Sequence, residues 1–443
     1  MKRIVYCLAI LFVFSCTKDK YRLEDLESVQ QIAWVKNFGG SGNESPRSII
    51  QTLDGGYAVV GFTDSTDGDL VSKNLNVNDY WLLKLDVDGN MQWQRTYGGS
   101  KDDQGQQVIQ TSDGGYAITG YAMSDDGDGS NNEGFHDNWI LRLDASGDIL
   151  WEKSFGFSGH DHSYDIVETL DGGLFFSGFL DVTSSNGEGS TGKSSGLTRH
   201  GVGEFWGTRL DADGNILWRK FFGGSNNDRS FGVINAYDGG FILSGASESD
   251  DFDISNSKGS YDFWVVKVDK NGNFEWEQSF GGTGIDQSHD ITKTADGNYV
   301  LVGNTFSSDT QVTKNNGESD IWLIKINDAG ELIWQHSYGG SSFDAAHSVN
   351  LTSSGGFLIS GNSRSSDKDA SVNQGENDFW MLTVDQNGKI LREFSLGGTD
   401  LDFAYDAIQT SDGSIMLVGE TASSNFPKID HKGGMDLVVL KIN

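Results

Sequence analysis

Apolar and polar residues alternate along most of this chain in short runs. In the stretch from Gln106 to Phe155 the runs are QQVIQT, YAITGY, NWILRLD and ILWEKSF. Alternation with a period of two is typical of β-strands that bury one face. The first two runs meet at Asp113-Gly114-Gly115, where glycine permits the positive φ of a tight hairpin turn. The pattern therefore predicts an all-β chain of short antiparallel strands.

The hairpin sequence around Asp113 recurs along the whole chain. Its aspartate position holds Asp54, Asp113, Asp171, Asp238, Asp296, Ser354 and Asp412, in steps of 59, 58, 67, 58, 58 and 58 residues. A constant period of this length indicates a repeat architecture. Four strand-like runs in each of seven repeats predict a single seven-bladed β-propeller with four antiparallel strands per blade.

The tryptophans support this architecture because all twelve fall in two positions of the repeat. Near the start of the third strand are Trp81, Trp139, Trp206, Trp264, Trp322 and Trp380, and in the fourth are Trp34, Trp93, Trp151, Trp218, Trp276 and Trp334. A large side chain at the same place in every blade predicts packing between neighbouring blades.

The two ends of the repeat region are complementary. The chain stops after LVVLKIN, a third strand, whereas IAWVKNFGG from Ile32 matches the fourth-strand sequence MQWQRTYGG from Met91. We therefore expect the N-terminal strand to complete the last blade, which removes the open edges of the ring. Residues 30–443 are predicted to form one domain.

Composition narrows the classes of partner. The chain has 59 glycines, 2 prolines and 12% aromatic residues, which suits many short strands and does not suit disorder. Its formal net charge of −32 repels phosphate backbones, so nucleic acid is not an expected partner.

The N-terminus predicts export and lipid attachment. Lys2 and Arg3 precede a short apolar run that ends at Phe14-Ser15-Cys16. This segment resembles the lipobox of bacterial lipoproteins, which implies a signal peptide at 1–15 and a lipid on Cys16. The polar residues that follow predict a tether at 16–29, so that only the lipid enters the membrane. The alternative is an ordinary secretory signal with a chance cysteine. Thr17 in place of an aspartate predicts the outer membrane of the cell envelope.

One unit of the repeat carries a family resemblance. The pattern LDxxGxxxWxxxxGG, as from Leu85 to Gly99, resembles the tryptophan-docking repeat of quinoprotein-like propellers, with a turn one residue shorter. The whole chain resembles uncharacterised repeat-propeller lipoproteins of Bacteroidota-type bacteria. That resemblance implies the fold and the envelope location; the family has no agreed activity.

Carboxylates recur at two places in every repeat and predict a scaffold role, because short acids accept backbone N–H bonds and hold loops. One set lies between the fourth and first strands: Glu44, Asp103, Asp161, Asp228, Asp286, Asp344 and Asp402. The other precedes the third-strand tryptophan position: Asp79, Asp137, Glu204, Asp262, Asp320, Asp378 and Asp436.

The candidate binding residues are those that differ between blades, because a ligand rarely has sevenfold symmetry. Three residues after the first acid the repeats hold Arg47, Gln106, Tyr164, Phe231, His289, His347 and Tyr405. They predict the rim of a central funnel that suits a polar organic or saccharide ligand; the alternative is that they fill space between blades. Arg199 and His200, in the long loop of the third repeat, are further candidates, although that loop's glycine and serine content also favours simple mobility.

The candidate metal ligands in the sequence are carboxylates suited to calcium. Four loops between second and third strands contain Asp-x-Asp, namely Asp67 with Asp69, Asp126 with Asp128, Asp251 with Asp253 and Asp367 with Asp369. Clustered carboxylates can hold Ca²⁺, but none of these loops has a complete calcium-loop pattern, and solvated carboxylates are the alternative. The eight histidines show no zinc-ligand spacing, so no other cofactor is expected.

Two functional hypotheses remain. The first is a monomeric, lipid-anchored binding or scaffold protein that recognises a glycan or an envelope protein on the loop-rich face. The second is a glycoside hydrolase or lyase that uses a carboxylate pair in the funnel. The sequence contains no catalytic motif of the enzymatic propellers, which favours binding.

Overall fold

The strands form seven four-stranded antiparallel sheets arranged as the blades of a propeller. The computed structural model describes residues 32–70, 73–191 and 200–443. The predicted signal peptide at 1–15, Cys16, the whole predicted tether at 16–29 and Arg199 lie outside the described residues. Within the described ranges every regular element is a strand, and no helix is long and apolar enough to cross a membrane. The predicted fold class is confirmed.

Each of the first six blades runs from an innermost to an outermost strand in chain order. The strands of the first three blades are β2 (Glu44–Gln51), β3 (Tyr57–Thr63), β4 (Asp79–Leu85), β5 (Met91–Tyr97), β6 (Asp103–Gln110), β7 (Tyr116–Ala122), β8 (Asp137–Leu143), β9 (Ile149–Phe155), β10 (His162–Glu168), β11 (Leu174–Leu180), β12 (Glu204–Leu210) and β13 (Ile216–Phe222). Those of the next three are β14 (Asp228–Asn235), β15 (Phe241–Ser247), β16 (Asp262–Val268), β17 (Phe274–Phe280), β18 (Asp286–Lys293), β19 (Tyr299–Thr305), β20 (Asp320–Ile326), β21 (Leu332–Tyr338), β22 (Asp344–Leu351), β23 (Phe357–Ser363), β24 (Asp378–Val384) and β25 (Ile390–Leu396). The seventh blade contains β26 (Asp402–Gln409), β27 (Ile415–Thr421), β28 (Asp436–Ile442) and β1 (Ile32–Phe38).

The N-terminal strand closes the ring as its sequence predicted. β1 pairs antiparallel with β28, and Phe38 lies opposite Leu437 and Trp34 opposite Lys441. The order of the seventh sheet is therefore β1-β28-β27-β26, with β1 outermost. Closure leaves no blade without a neighbour on either side.

The hydrophobic core lies between the blades. One cluster joins Val60 and Tyr80 of the first blade to Ile118 and Trp139 of the second, and all four side chains are buried. The rings of Tyr80 and Trp139 meet edge to face with centroids 4.8 Å apart, a geometry that aromatic pairs prefer. All six third-strand tryptophans are fully buried, as the repeat predicted.

The fourth-strand tryptophans act differently. Most are only half-buried, and each indole from Trp34 to Trp276 covers a glycine in a turn of the following blade. Trp151 also donates from Nε1 to the carbonyl of Ala212, 3.2 Å away in the next blade. A Cβ on Gly89 would lie 2.4 Å from Trp34, so this turn needs glycine both for its φ of +74° and for space.

The recurring acids hold the loops on one face of the ring. At the junction of the fifth and sixth blades, Asp344 accepts the Gly340 N–H at 2.7 Å, and Asp320 accepts the Asn316 N–H at 2.6 Å. Both carboxylates approach Gly339, where a Cβ would lie 2.4 Å from Asp320 Oδ1 and 2.7 Å from Asp344 Oδ2. Burial raises the pKa of Asp320 to about 6 and also raises the pKa of Asp344.

These raised pKa values predict a stability that falls with rising pH. A carboxyl whose pKa is higher in the folded than in the unfolded protein stabilises the fold fully below its unfolded pKa, and this contribution is lost as pH rises through its folded pKa. For Asp320 that window extends from about pH 4 to about pH 6. We expect a lower melting temperature at pH 8 than at pH 5, and Asp320→Asn, which is neutral at both, should raise the free energy of unfolding at pH 8 by up to about 2 kcal/mol.

Asp296→Asn is the matched control for this measurement. A bond from Lys325 lowers the pKa of exposed Asp296 to about 2, so this group is ionised at both pH values. Its replacement should shift the melting temperature equally at pH 5 and pH 8. An unchanged or higher wild-type melting temperature at pH 8 would contradict the prediction.

A second prediction concerns the turn glycines of the first blade. Gly89→Ala should destabilise the fold more than Gly55→Ala, whose φ is also positive, at +83°, but whose Cβ would have no neighbour within 4 Å. We expect about 1–2 kcal/mol for Gly55→Ala from backbone strain, and an additional cost of about 1–3 kcal/mol for Gly89→Ala because Trp34 must move. Denaturant unfolding measures both; equal losses would show that the indole of the closing strand does not constrain this turn.

Candidate functional site

Seven β-bulges around the axis define the candidate site. In every blade the innermost strand has a register shift at the same place, and the extra residue is the variable position found in the sequence. A bulge turns a side chain out of the regular alternation. We call these seven residues the axial girdle: Arg47, Gln106, Tyr164, Phe231, His289, His347 and Tyr405.

All seven girdle side chains are half-buried and line one cavity on the axis of about 480 Å³. They also contact each other from blade to blade. Ring centroids are 5.1–5.8 Å apart for Tyr164–Phe231, Phe231–His289, His289–His347 and His347–Tyr405. The guanidinium carbon of Arg47 lies 4.1 Å from the centre of the Tyr405 ring. The girdle thus both fills the space between first strands and borders a cavity, and its binding role stays a prediction.

Polar partners fix several girdle side chains. The Nε2 atoms of His289 and His347 lie 2.9 and 3.0 Å from the amide oxygens of Asn304 and Asn362. Burial lowers the pKa of His289 and lowers that of His347 to about 3, so both rings are neutral at physiological pH. A neutral ring that donates from Nε2 keeps an acceptor at Nδ1.

Arg47 brings a positive charge to the same side of the girdle. Its Nη1 lies 3.9 Å from Oε2 of Glu420, and the Tyr405 hydroxyl donates to the other oxygen of Glu420 at 2.8 Å. The girdle therefore offers aromatic rings, neutral imidazoles and one paired cation to a ligand.

Three aspartates directly follow girdle residues and were missed by the sequence analysis: Asp165 and Asp406, which are buried, and Asp290, which is half-buried. Each accepts a backbone N–H from the first strand of the next blade, at 2.7 Å for Asp165 and Asp290 and 3.0 Å for Asp406. Burial raises the pKa of Asp165 and of Asp406 to about 6 and that of Asp290 well above its ordinary value. Each aspartate stands one residue after a girdle residue. The bulge shifts the inward and outward alternation of the strand at that point, so the period-two pattern does not show which way the aspartate side chain points.

The second oxygen of each of these aspartates is also engaged. Oδ1 of Asp165 accepts from Gln107, Oδ1 of Asp406 accepts from Asn350, and Oδ1 of Asp290 accepts the N–H of the following residue. These carboxylates link blades at the axis, since both oxygens of each are occupied by structural bonds.

His200 lies in a packed environment at the end of the long third-repeat loop. It is 8% exposed, its ring stacks on Phe252 with centroids 5.0 Å apart, and Nδ1 lies 3.4 Å from Oε2 of Glu204. The structure therefore places His200 against the neighbouring loop and away from open solvent. Its predicted binding role is untested.

The Asp-x-Asp acids hold the glycine loops between blades. The first acid accepts a serine N–H and the second a glycine N–H at 2.7–3.4 Å in all four loops: Asp67 with Asp69, Asp126 with Asp128, Asp251 with Asp253, and Asp367 with Asp369. In the fifth blade the amide Gln311 takes the place of the second acid and accepts the same glycine N–H at 3.0 Å. Because a neutral amide accepts the same hydrogen bond, the second Asp-x-Asp position requires a hydrogen-bond acceptor and does not require a negative charge. Calcium binding at these loops stays a prediction.

Three histidines converge at the junction of the second and third blades. His136 Nδ1 lies 3.0 Å from His160 Nδ1 and 3.2 Å from His162 Nε2. Among the described residues this is the one group of three or more histidines, cysteines or acids whose ligand atoms all lie within 4.8 Å of each other. The sequence spacing did not reveal this group, although His160-x-His162 puts two histidines on either side of a recurring acid.

Comparison with known proteins relates this chain to others through fold alone. No family model and no curated protein matches it. Among solved structures it is similar to a protein of unknown function from Bacteroides caccae, at 10% identity and a TM-score of 0.41, over 76% of this chain and 93% of that one. It is also similar to Sqt1 from Chaetomium thermophilum, at 10% and 0.45 over 93% and 100% of the two chains. BamB from Moraxella catarrhalis aligns at 13% and 0.40 over 92% and 99%.

Proposed function

We propose that this protein is a non-enzymatic binding protein of the cell envelope whose axial girdle holds a glycan. The observation that supports the proposal is the set of seven bulges. One backbone feature, a β-bulge repeated in every blade, directs seven side chains of five residue types at one axial cavity. Scaffold positions in a repeat protein stay alike, so variation at the positions aimed inward is typical of a ligand without sevenfold symmetry.

The chemistry of the girdle suits an uncharged saccharide. Tyr164, Phe231 and Tyr405 present aromatic rings, on which the apolar faces of sugar rings pack. Two neutral imidazoles and Gln106 supply donors and acceptors for hydroxyl groups. The cavity of about 480 Å³ lies within the usual range for small-ligand sites, and the acidic chain disfavours anionic ligands.

Binding is favoured over hydrolysis by the state of the funnel carboxylates. A glycosidase needs one carboxyl that can give a proton and a second that can attack or activate water. The three aspartates that line the axial cavity already accept two hydrogen bonds each from the fold. If one of these carboxyl groups turned an oxygen toward a substrate, it would lose hydrogen bonds that hold the first strands together.

The binding proposal predicts a separation of affinity from stability at the girdle. In a glycan-array screen of the purified chain, Phe231→Ala and His347→Ala should each weaken binding of a positive glycan about tenfold, the loss expected for one stacking or hydrogen-bonding contact. Tyr237→Ala, an exposed tyrosine in a turn between a first and a second strand, is the matched control and should bind normally. If the wild type binds no glycan and both girdle variants melt at a much lower temperature, the girdle has a packing role only. If a bound glycan is cleaved and product is released, the non-enzymatic assignment is wrong.

We also propose that the propeller is attached to the outer membrane through a lipid on Cys16. The support is the order of basic, apolar and small residues before Cys16 in the sequence. Expressed in a bacterial host with lipoprotein processing, the chain should lose residues 1–15, gain the mass of a lipid and sediment with membranes. Cys16→Ser should appear in the soluble fraction with an unchanged melting temperature, and membrane attachment of that variant would contradict the anchor.

A further inference from the structure

The three-histidine group stands on a backbone arrangement that every blade repeats. Asp161 donates its N–H to the His136 carbonyl at 2.7 Å, and the same bond joins Asp103 to Asn78 in the preceding junction at 2.8 Å. The residue before the third-strand acid and the two residues that flank the first-strand acid are therefore brought together at each junction. At the junction of the second and third blades all three are histidines: His136, His160 and His162.

The preceding junction shows how these positions are satisfied by ordinary hydrogen bonds. There Asn78 donates to Oδ1 of Asp102 at 2.6 Å, and Gln104 donates to Oδ2 of Asp102 at 2.9 Å. The Asp102 carboxylate accepts one hydrogen bond from each of the two side-chain amides, so the donors and acceptors at this junction are matched. The histidine junction lacks such a complementary arrangement.

Two imidazole nitrogens approach the same atom at the histidine junction. Both His160 Nδ1 and His162 Nε2 lie within hydrogen-bond distance of His136 Nδ1. A neutral ring nitrogen has either one proton or one lone pair, so His136 Nδ1 can satisfy only one of them well. Three lone pairs that converge are instead what a metal ion requires of its ligands.

The distances also agree with a metal centre. Zinc–nitrogen bonds of about 2.0–2.1 Å in a tetrahedron place neighbouring ligand nitrogens about 3.3–3.4 Å apart. The two distances from His136 Nδ1 are 3.0 and 3.2 Å, and the whole group lies within 4.8 Å. The three nitrogens would occupy three corners of such a tetrahedron, and the exposed position of His160 leaves room for its ring to turn toward the ion.

Polar groups lie near the far nitrogens of two of the rings. His136 Nε2, buried and without a hydrogen bond, faces Oδ2 of Asp102 at 3.9 Å. His162 Nδ1 lies 3.3 Å from the Tyr164 hydroxyl, and Tyr121 stacks on the His162 ring with centroids 3.8 Å apart. A carboxylate or hydroxyl on the far nitrogen of a ligand histidine sets its tautomer and leaves the near nitrogen free to ligate.

We propose that His136, His160 and His162 bind a divalent late transition-metal ion, with zinc the reference case, through Nδ1, Nδ1 and Nε2. Three imidazoles suit zinc, cobalt and copper and do not suit the oxygen-seeking calcium and magnesium. Since three protein ligands leave a tetrahedral ion one position and His160 is exposed, water or a donor atom of a ligand would take the fourth position. The site adjoins the girdle at Tyr164 but does not depend on the glycan proposal.

Metal titration tests the proposal. After EDTA treatment and dialysis, the purified chain should bind one equivalent of Co²⁺ with the visible absorption of a four-coordinate ion, and azide should shift these bands because it enters the open position. Zn²⁺ should displace Co²⁺ and raise the melting temperature, whereas Ca²⁺ should neither displace Co²⁺ nor reproduce its spectrum.

Variants separate this site from weak binding by the acidic surface. His160→Ala, at an exposed position, should fold normally and bind Co²⁺ about 100-fold more weakly, with loss of the spectrum. His431→Ala removes a histidine from the loop between the second and third strands of the seventh blade, which contributes no residue to this group, and as the histidine control it should bind like the wild type. Equal affinity of wild type and His160→Ala, or displacement of Co²⁺ by Ca²⁺, would overturn the proposal.

Discussion

The packing of each four-stranded sheet against the next is the interaction on which this molecule depends. A blade such as β6–β9 has buried apolar side chains on both faces, so it requires a neighbour on each side. Trp139 takes part in that contact with the first blade, and its ring meets Tyr80 edge to face. A row of such sheets has two unsatisfied ends unless it becomes a ring, and the β1–β28 pairing provides the closure.

The backbone features of the blades recur around the ring, whereas some side chains placed on them differ from blade to blade. The bulge in each first strand and the backbone bond beside each first acid recur around the ring, whereas the side chains at these places differ. Asn78 and Asp102 close one junction by hydrogen bonds, and His136 and His160 occupy the same positions at the next. The side chains at these positions thus differ from junction to junction without any change of the framework.

Many of the carboxylates serve as acceptors inside the protein. Burial raises the pKa of Asp137 and of Asp378 to about 7, so these groups are partly protonated at neutral pH. The charge that the protein presents to solvent is therefore smaller in magnitude than the formal −32. The loops rich in glycine need these acceptors because their backbone N–H groups have no strand partner.

The sequence by itself determined the repeat, the strand order, the closure and the buried third-strand tryptophans, because period-two alternation and a constant spacing are local properties of the chain. It also identified the seven variable positions, since they hold the same place in each repeat. The tertiary structure alone decided three other matters. It showed that the fourth-strand indoles cover turn glycines, that Asp165, Asp290 and Asp406 join blades at the axis, and that His136 meets His160 and His162. Each of these contacts joins residues of two neighbouring blades. The distance between such residues depends on how the two sheets pack, and the spacing of residues along the chain does not determine that packing.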